Sequence, residues 1–240
     1  MQSNTLNVVQ ISQKKYTLVQ GLSQRIVDTI GQIEDTFTMI IYGDSGNGKT
    51  NLTVDLLTEF KEVGSMLYIS YEEGHGKTVQ DMVLRHNLVE RFPNLKFSKG
   101  ETCESLIQML KRKKSAKVVV IDSWQFSDFT IEDYKQLKKL FVFGKTPGKR
   151  RIFIFISHVN GRHPDGKSAI EIKRDANIKI HVEGFIGSVI SRFGSKRNYL
   201  IWEQGAKQHW GKEFNKKLNK GFKMPKKIKD EPMIEVKSDG

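Results

Sequence analysis

An apolar strand that runs straight into a glycine-rich loop and then an amphipathic helix leaves a chain few folds to adopt, and MIIYGDSGNGKT at Met39 to Thr50 is such a junction. β-Branched and aromatic residues from Thr38 to Tyr42 predict a buried strand, and Leu52, Leu56, Leu57, Phe60 and Val63 fall on one face of the following helix. Between them Gly43 opens a G-x-x-x-x-G-K-T run that ends at Thr50. Glycines at 43, 46 and 48 let the backbone fold back so that successive N–H groups point inward, and the helix start adds its partial positive charge. Such a loop cradles a polyphosphate. The predicted cradle is Gly43, Asp44, Ser45, Gly46, Asn47, Gly48, Lys49, Thr50 and Asn51, with Lys49 reaching the β and γ phosphates of ATP and the Thr50 hydroxyl placed to ligate Mg2+.

A chain of 240 residues can bury one sizeable core. The expected organisation is a lead-in segment over 1–35, a nucleotide-binding core over 36–210 and a basic tail over 211–240. Forty Lys and Arg against 27 Asp and Glu leave a net charge of +13, which favours a polyanionic partner such as nucleic acid over an acidic protein. No apolar run approaches the ~18 residues of a membrane span, so no membrane partner is expected. The lone Cys103 cannot form an internal disulfide, which suits a reducing, cytoplasmic compartment, and the six histidines lack zinc-like spacing with it.

The first 35 residues carry scattered apolar positions with a helix expected from Ser23 to Ile30, in a segment that either wraps the domain or reaches a neighbouring subunit. Ser65 to Tyr71 reads as a second buried strand, closed by Glu72 and Glu73. Adjacent carboxylates at a strand end can be a solvated turn. Because open α/β sheets gather their chemistry at the carboxyl ends of strands, these two are candidate catalytic residues. Lys77 to Arg91 reads as a helix, Leu95 to Ser98 as a short strand, and Glu101 to Lys114 as a helix whose acid-to-base order suits its dipole. The run KVVVID from Lys117 is apolar up to its closing acid, Asp122, the form of a central parallel strand buried on both faces. An acid there, beside a phosphate loop, holds magnesium directly or through water, so Asp122 reads as a Walker B residue and joins Thr50 as a predicted metal ligand.

Thr130 to Val142 reads as a helix, Thr146 to Lys149 as a turn, and Arg151 to Ser157 as another buried strand ending in His158, a candidate sensor of the γ phosphate. Val159 to Ser168 is too rich in Gly, Pro and polar groups to be regular and is expected to be a mobile binding loop, with Arg162 and Lys167 as its DNA-facing cations. Strands at Asn177 to Val182, Phe185 to Phe193 and Asn198 to Glu203 are expected to complete the sheet as an antiparallel meander. Between Lys216 and Lys229 there are seven lysines and no acid. That stretch reads as a flexible tail, either a solubilising terminus or a hold on nucleic-acid phosphates through Lys216, Lys217, Lys226 and Lys227.

The order of phosphate loop, strand with a terminal Glu pair, Walker B strand, strand with a terminal His, loop and late hairpins resembles the RecA-like ATPases, and within them the RadA/Sms and KaiC branch, over about residues 35–205. The resemblance implies an α/β fold with a mostly parallel central sheet, helices on both faces and antiparallel C-terminal strands. YISYEEG from Tyr68 resembles the strand carrying that branch's catalytic glutamate, which implies Glu72 as the base that activates water and Glu73 as its support. SHVN from Ser157 resembles its sensor strand, and DANIKIHVEG from Asp175 the run after its DNA-facing loop. SRFGS from Ser191 resembles the K-N-R-F-G motif, whose basic residues act on a neighbouring subunit's nucleotide or on DNA. Ile190 and Ser191 stand where Lys and Asn would, so Arg192 alone carries over, with Lys196 as the candidate substitute.

The chain resembles a bare RecA core, of the kind found in bacteriophages and mobile elements, often with single-strand DNA-binding protein as partner. The function so implied is a Mg2+-dependent ATPase stimulated by single-stranded DNA, acting as a homo-oligomeric ring or filament in recombination, annealing or replication. A DnaB-like replicative helicase core and a KaiC-like signalling ATPase that binds protein instead of DNA are the competing classes.

Overall fold

The computed structural model describes residues 5–144 and 149–219, so most of the expected turn at Thr146 to Lys149, as well as Lys226 and Lys227, lies outside the described residues. Two short helices lead in, α1 (Val8–Ser12) and α2 (Gln24–Ile30), the second capped by Ser23, whose hydroxyl accepts the Ile26 N–H. Then come β1 (Phe37–Gly43), the loop helix α3 (Lys49–Glu59), β2 (Met66–Ser70), α4 (Lys77–Arg85), α5 (Leu88–Arg91), β3 (Leu95–Ser98), α6 (Cys103–Lys111), β4 (Val118–Asp122), α7 (Ile131–Leu137) and β5 (Ile152–Ser157). A small ribbon of β6 (Val159–Asn160) and β7 (His163–Pro164) leads into α8 (Lys167–Asp175). The chain continues through β8 (Ile178–Glu183), β9 (Ile186–Ser191), β10 (Tyr199–Leu200), α9 (Glu203–Trp210) and α10 (Phe214–Leu218).

Eight strands form one sheet in the order β10-β9-β8-β1-β5-β4-β2-β3. From β8 to β3 every pairing is parallel, and only β9 and β10 are antiparallel. All seven residues of the central β1 are buried, as a strand covered on both faces requires. Its alternation sends Phe37, Met39 and Ile41 into a core shared with Ile30 of α2 and Leu52 and Leu56 of α3, and Ile40 and Tyr42 into a second core with Leu106, Leu137 and Ile172. Leu52 and Leu56 are fully buried, each contributing roughly 2 kcal/mol of transfer free energy that holds α3, and with it the glycine loop, against β1.

Where the fold departs from the sequence pattern the causes are local. The segment 159–168, expected to be irregular, is a two-strand ribbon turned at Gly161 (φ 66°), after which Lys167 opens α8. Ala169, Ile172 and Ala176 bury one face of that helix, and because α8 carries the chain back along the sheet, β8 runs parallel to β1, and β9 and β10 follow it as the expected antiparallel meander. The helix expected over Lys77 to Arg91 breaks at Asn87, whose φ of 49° is left-handed. Residues 211–218, whose composition reads as the start of a flexible tail, instead pack: Phe214 is buried beside Ile186 and Ala206. At the other end Val19, Ile26, Ile30 and Ile33 lie in the first core, so the lead-in wraps the domain from Val19 onward, while Val8, Val9 and Ile11 of α1 are exposed.

Candidate active site

Strand order decides where the chemistry gathers. β1, β5, β4 and β2 are neighbours and parallel, so the glycine loop, His158, Asp122 and Glu72 leave the same edge of the sheet in that spatial order. They line a cleft of ≈ 450 Å³ together with Ser45, Thr50, Asn51 and Glu73.

The loop has the geometry of an anion cradle. Gly46 and Gly48 take φ of 76° and 98°, and the space a side chain at Gly46 would fill is open. Gly48 caps α3, whose first-turn amides lack intrahelical acceptors and stand at the cleft. Lys49 Nζ donates to the carbonyl oxygens of Gly43 and Asp44 at 2.8 and 3.0 Å. Burial lowers its pKa against the pull of Asp122, Glu72 and Asp44. A phosphate chain offers that ammonium a stronger acceptor than two neutral carbonyls, so the loop fits a triphosphate.

Asp122, partly buried at the end of β4, accepts the Tyr68 hydroxyl on Oδ2. Burial pushes its carboxyl up to about 6; the Tyr68 bond and Lys49 oppose the rise, and Glu72 and Glu73 add to it. Three carboxylates facing one cleft favour a cation. Among the described residues no group of three or more His, Cys, Asp and Glu could hold a metal alone, so Thr50 and Asp122 fit Mg2+ only in the usual way, with phosphate oxygens and water as the other ligands. The Asp122–Ser123 peptide is cis, and Ser123 Oγ donates to Glu72 Oε2 at 3.2 Å. The same Glu72 oxygen lies 3.0 Å from His158 Nε2, while Glu73 lines the cleft beside it.

Several further residues of the site carried no expected role. Tyr68 and Ser123 hold Asp122 and Glu72, Arg85 of α4 lines the cleft, and His86 Nε2 stands 3.2 Å from Asn51 Oδ1 at the end of the glycine loop. Asn47 Oδ1 accepts the Gly184 N–H at 2.7 Å, which ties the loop to the β8–β9 turn. Ser123 adjoins Asp122 and Tyr68 lies on the strand that ends at the Glu pair, but strand alternation gives a face and not a partner.

Other predicted residues stand apart. Ser191 pairs with Ile178, which pairs with Met39, so Arg192, one residue beyond, lies at the opposite sheet edge, ~17 Å of strand from Gly43. Arg192 Nη2 donates to Asp175 O at 3.3 Å and Lys196 Nζ is 3.4 Å from Asp28 Oδ1. Arg162 is exposed at the ribbon turn and Lys167 at the start of α8. Lys216 pairs with Glu213 at 3.0 Å, and Lys217 with Glu183 at 2.9 Å.

A mostly parallel sheet with its phosphate loop on a central strand, extended by antiparallel strands beyond β8, is the RecA-like arrangement. The solved structure of flagellar accessory protein FlaH from Methanocaldococcus jannaschii shares this fold, with a TM-score of 0.53 over 77% of this chain and 93% of FlaH, at 15% identity. At that identity the likeness is one of fold. No protein-family profile and no curated protein matches the chain. Among the described residues no helix is long and apolar enough to cross a membrane.

Proposed function

We propose that this protein is a Mg2+-dependent ATPase whose turnover is stimulated by single-stranded DNA, working as a homo-oligomer in recombination, annealing or replication. One observation carries the reading: the ribbon that presents Arg162 is hydrogen-bonded to the catalytic edge, since Asp165 N–H donates to His158 O at 2.9 Å and His158 Nε2 meets Glu72 at 3.0 Å. In this scheme Lys49 and the loop amides hold the β and γ phosphates, and Thr50 and Asp122 hold Mg2+, which neutralises charge on the transferring group when bound. Glu72, positioned by Ser123 and His158, takes the proton of the attacking water. Arg162 and Lys167 engage a phosphate backbone, and a shift of the ribbon reaches Glu72 through His158. The net charge of +13 supports a polyanionic partner.

A second reading, an ATPase acting on a protein assembly, has one observation in its favour, the likeness to a flagellar accessory protein. ATP turnover with and without single-stranded DNA, together with gel shifts across salt concentrations, separates the two. Stimulated turnover and salt-sensitive binding support the DNA reading. Turnover without any DNA binding at low salt would favour the protein-directed one, and no Mg2+-dependent turnover at all would sink both.

A further inference from the structure

We propose that Phe185 and Trp202 form the shelf on which the nucleobase stacks; this rests on the phosphate-loop reading above and assigns the other end of the same ligand. The topology divides the surroundings of the loop. On one flank of β1 the strands β5, β4 and β2 bring His158, Asp122 and Glu72, so the γ end of a triphosphate faces that way. The nucleoside therefore leaves toward the other flank, where β8, β9 and β10 lie. There the side chains are aromatic.

Phe185 sits in the tight β8–β9 turn, where Gly184 and Phe185 both have positive φ, 51° and 60°. The second position of such a turn ordinarily goes to glycine, and a bulky residue there is an outlier that persists only where its surroundings hold it. They do so from both sides. The Gly184 N–H donates to Asn47 Oδ1 at 2.7 Å, and Trp210 Nε1 donates to Gly184 O at 3.0 Å. Phe185 consequently lines the cleft beside the loop: a Cβ at Gly48 would stand 3.5 Å from its ring and 3.1 Å from Ile201.

Trp202 meets Phe185 edge to face, ring centroids 4.9 Å apart at 84°, yet is 47% exposed. Both rings are seated on Gly205 of α9, where a Cβ would fall 2.1 Å from the Trp202 ring and 2.7 Å from Phe185. The indole follows Ile201, whose side chain stands beside Gly48 at the start of α3, and although Phe185 and Gly205 brace it, it remains about half exposed, an amphipathic surface with room for a second ring. Flat aromatic bases stack on such surfaces by their π-faces, with little dependence on which base is present. The expected ligand class is thus a nucleoside triphosphate bound through triphosphate and base together, with ATP and GTP held about equally.

Calorimetric titration of the full chain in Mg2+ with ATP, and separately with inorganic tripolyphosphate, tests the assignment. Trp202→Ala is expected to raise the Kd for ATP roughly tenfold and to leave that for tripolyphosphate unchanged, with Trp202→Phe close to wild type. In the wild-type protein ATP, but not tripolyphosphate, should quench indole fluorescence, and the quenching should vanish in Trp202→Phe, a variant that keeps an aromatic ring in the seat. Equal loss of both ligands, or ATP binding untouched by either substitution with no quenching, would overturn the shelf. Wild-type protein that binds neither ligand would overturn the phosphate-loop reading, and the shelf with it.

Discussion

His158 Nε2 stands 3.0 Å from Glu72 Oε2 across 86 positions of sequence, and β4 with Asp122 lies between the strands that deliver them. The pair therefore bridges the acid that faces the loop. With Ser123 Oγ on the same oxygen, Glu72 is held on two sides although it follows a strand and is itself exposed. A carboxylate held in this way is positioned before water arrives, as the proton abstraction proposed for Glu72 requires.

Glu72→Gln should keep ATP binding and lose turnover by about 10²- to 10⁴-fold, since the amide preserves the bond from Ser123 but cannot accept a proton. Nucleotide affinity by calorimetry and phosphate release report the two separately. If Glu73→Gln is the inactive variant and Glu72→Gln turns over normally, the roles within the pair are reversed.

Asp122→Asn should stabilise the nucleotide-free protein at pH 8 while abolishing Mg2+-dependent turnover. The folded carboxyl titrates at about 6 against an ordinary 3.8, so the unfolded chain gives up this proton first. Between those values the folded state binds more protons, and its stability falls as pH rises; above 6 the whole cost is present. Removing the charge should recover on the order of 3 kcal/mol at pH 8, shrinking toward zero at pH 4. Thermal melts at both values measure it. An Asn variant that melts lower at pH 8 would mean that Lys49 and Tyr68 favour the carboxylate more than burial opposes it.

Strands buried on both faces were legible because their composition follows from burial alone: β1, β2, β4 and β5 begin and end within a residue of the expected bounds. The placing of the loop, Glu72, Asp122 and His158 at one sheet edge could be expected because each follows a short apolar run. Contacts that join distant positions could not. Tyr68 and Asp122 are 54 residues apart, and Lys217, one of a run of lysines, reaches Glu183 and stacks over Trp210 instead of standing free. Polar residues around Gly161 and Gly166 masked the ribbon and α8, whose apolar spacing at Ala169, Ile172 and Ala176 is clear only once the helix start is known.

Replacing Arg162 and Lys167 with alanine should reduce the DNA stimulation of turnover more than DNA affinity, because in the proposed scheme the ribbon reaches His158 through the Asp165 N–H while other cations share the binding. Each backbone phosphate of a single strand that goes unneutralised in the variant should flatten the log–log salt dependence by about 0.7. Equal loss of stimulation and affinity, with an unchanged basal rate, would argue that the ribbon binds without coupling.

Arg192 stands at the far sheet edge from its own loop, so any part it has in hydrolysis is played at a neighbouring subunit's nucleotide. Arg85 is the competing guanidinium, because it lines the cleft of its own chain. Mixing variants distinguishes them. Arg192→Ala alone should lose turnover by about 10³- to 10⁵-fold, the range of an arginine acting in trans. Combined with Glu72→Gln, roughly a quarter of the interfaces in a random equal mixture join an intact Glu72 to an intact Arg192 across a head-to-tail contact, so hydrolysis should partly return. If Arg85→Ala is itself inactive, its mixture with Glu72→Gln should show no recovery, since both residues face the same chain's cleft and every site then lacks one of them. Full-rate turnover by Arg192→Ala, or no recovery in the first mixture although the two variants co-assemble, would remove Arg192 from the reaction and leave Arg85 as the guanidinium that faces the phosphates.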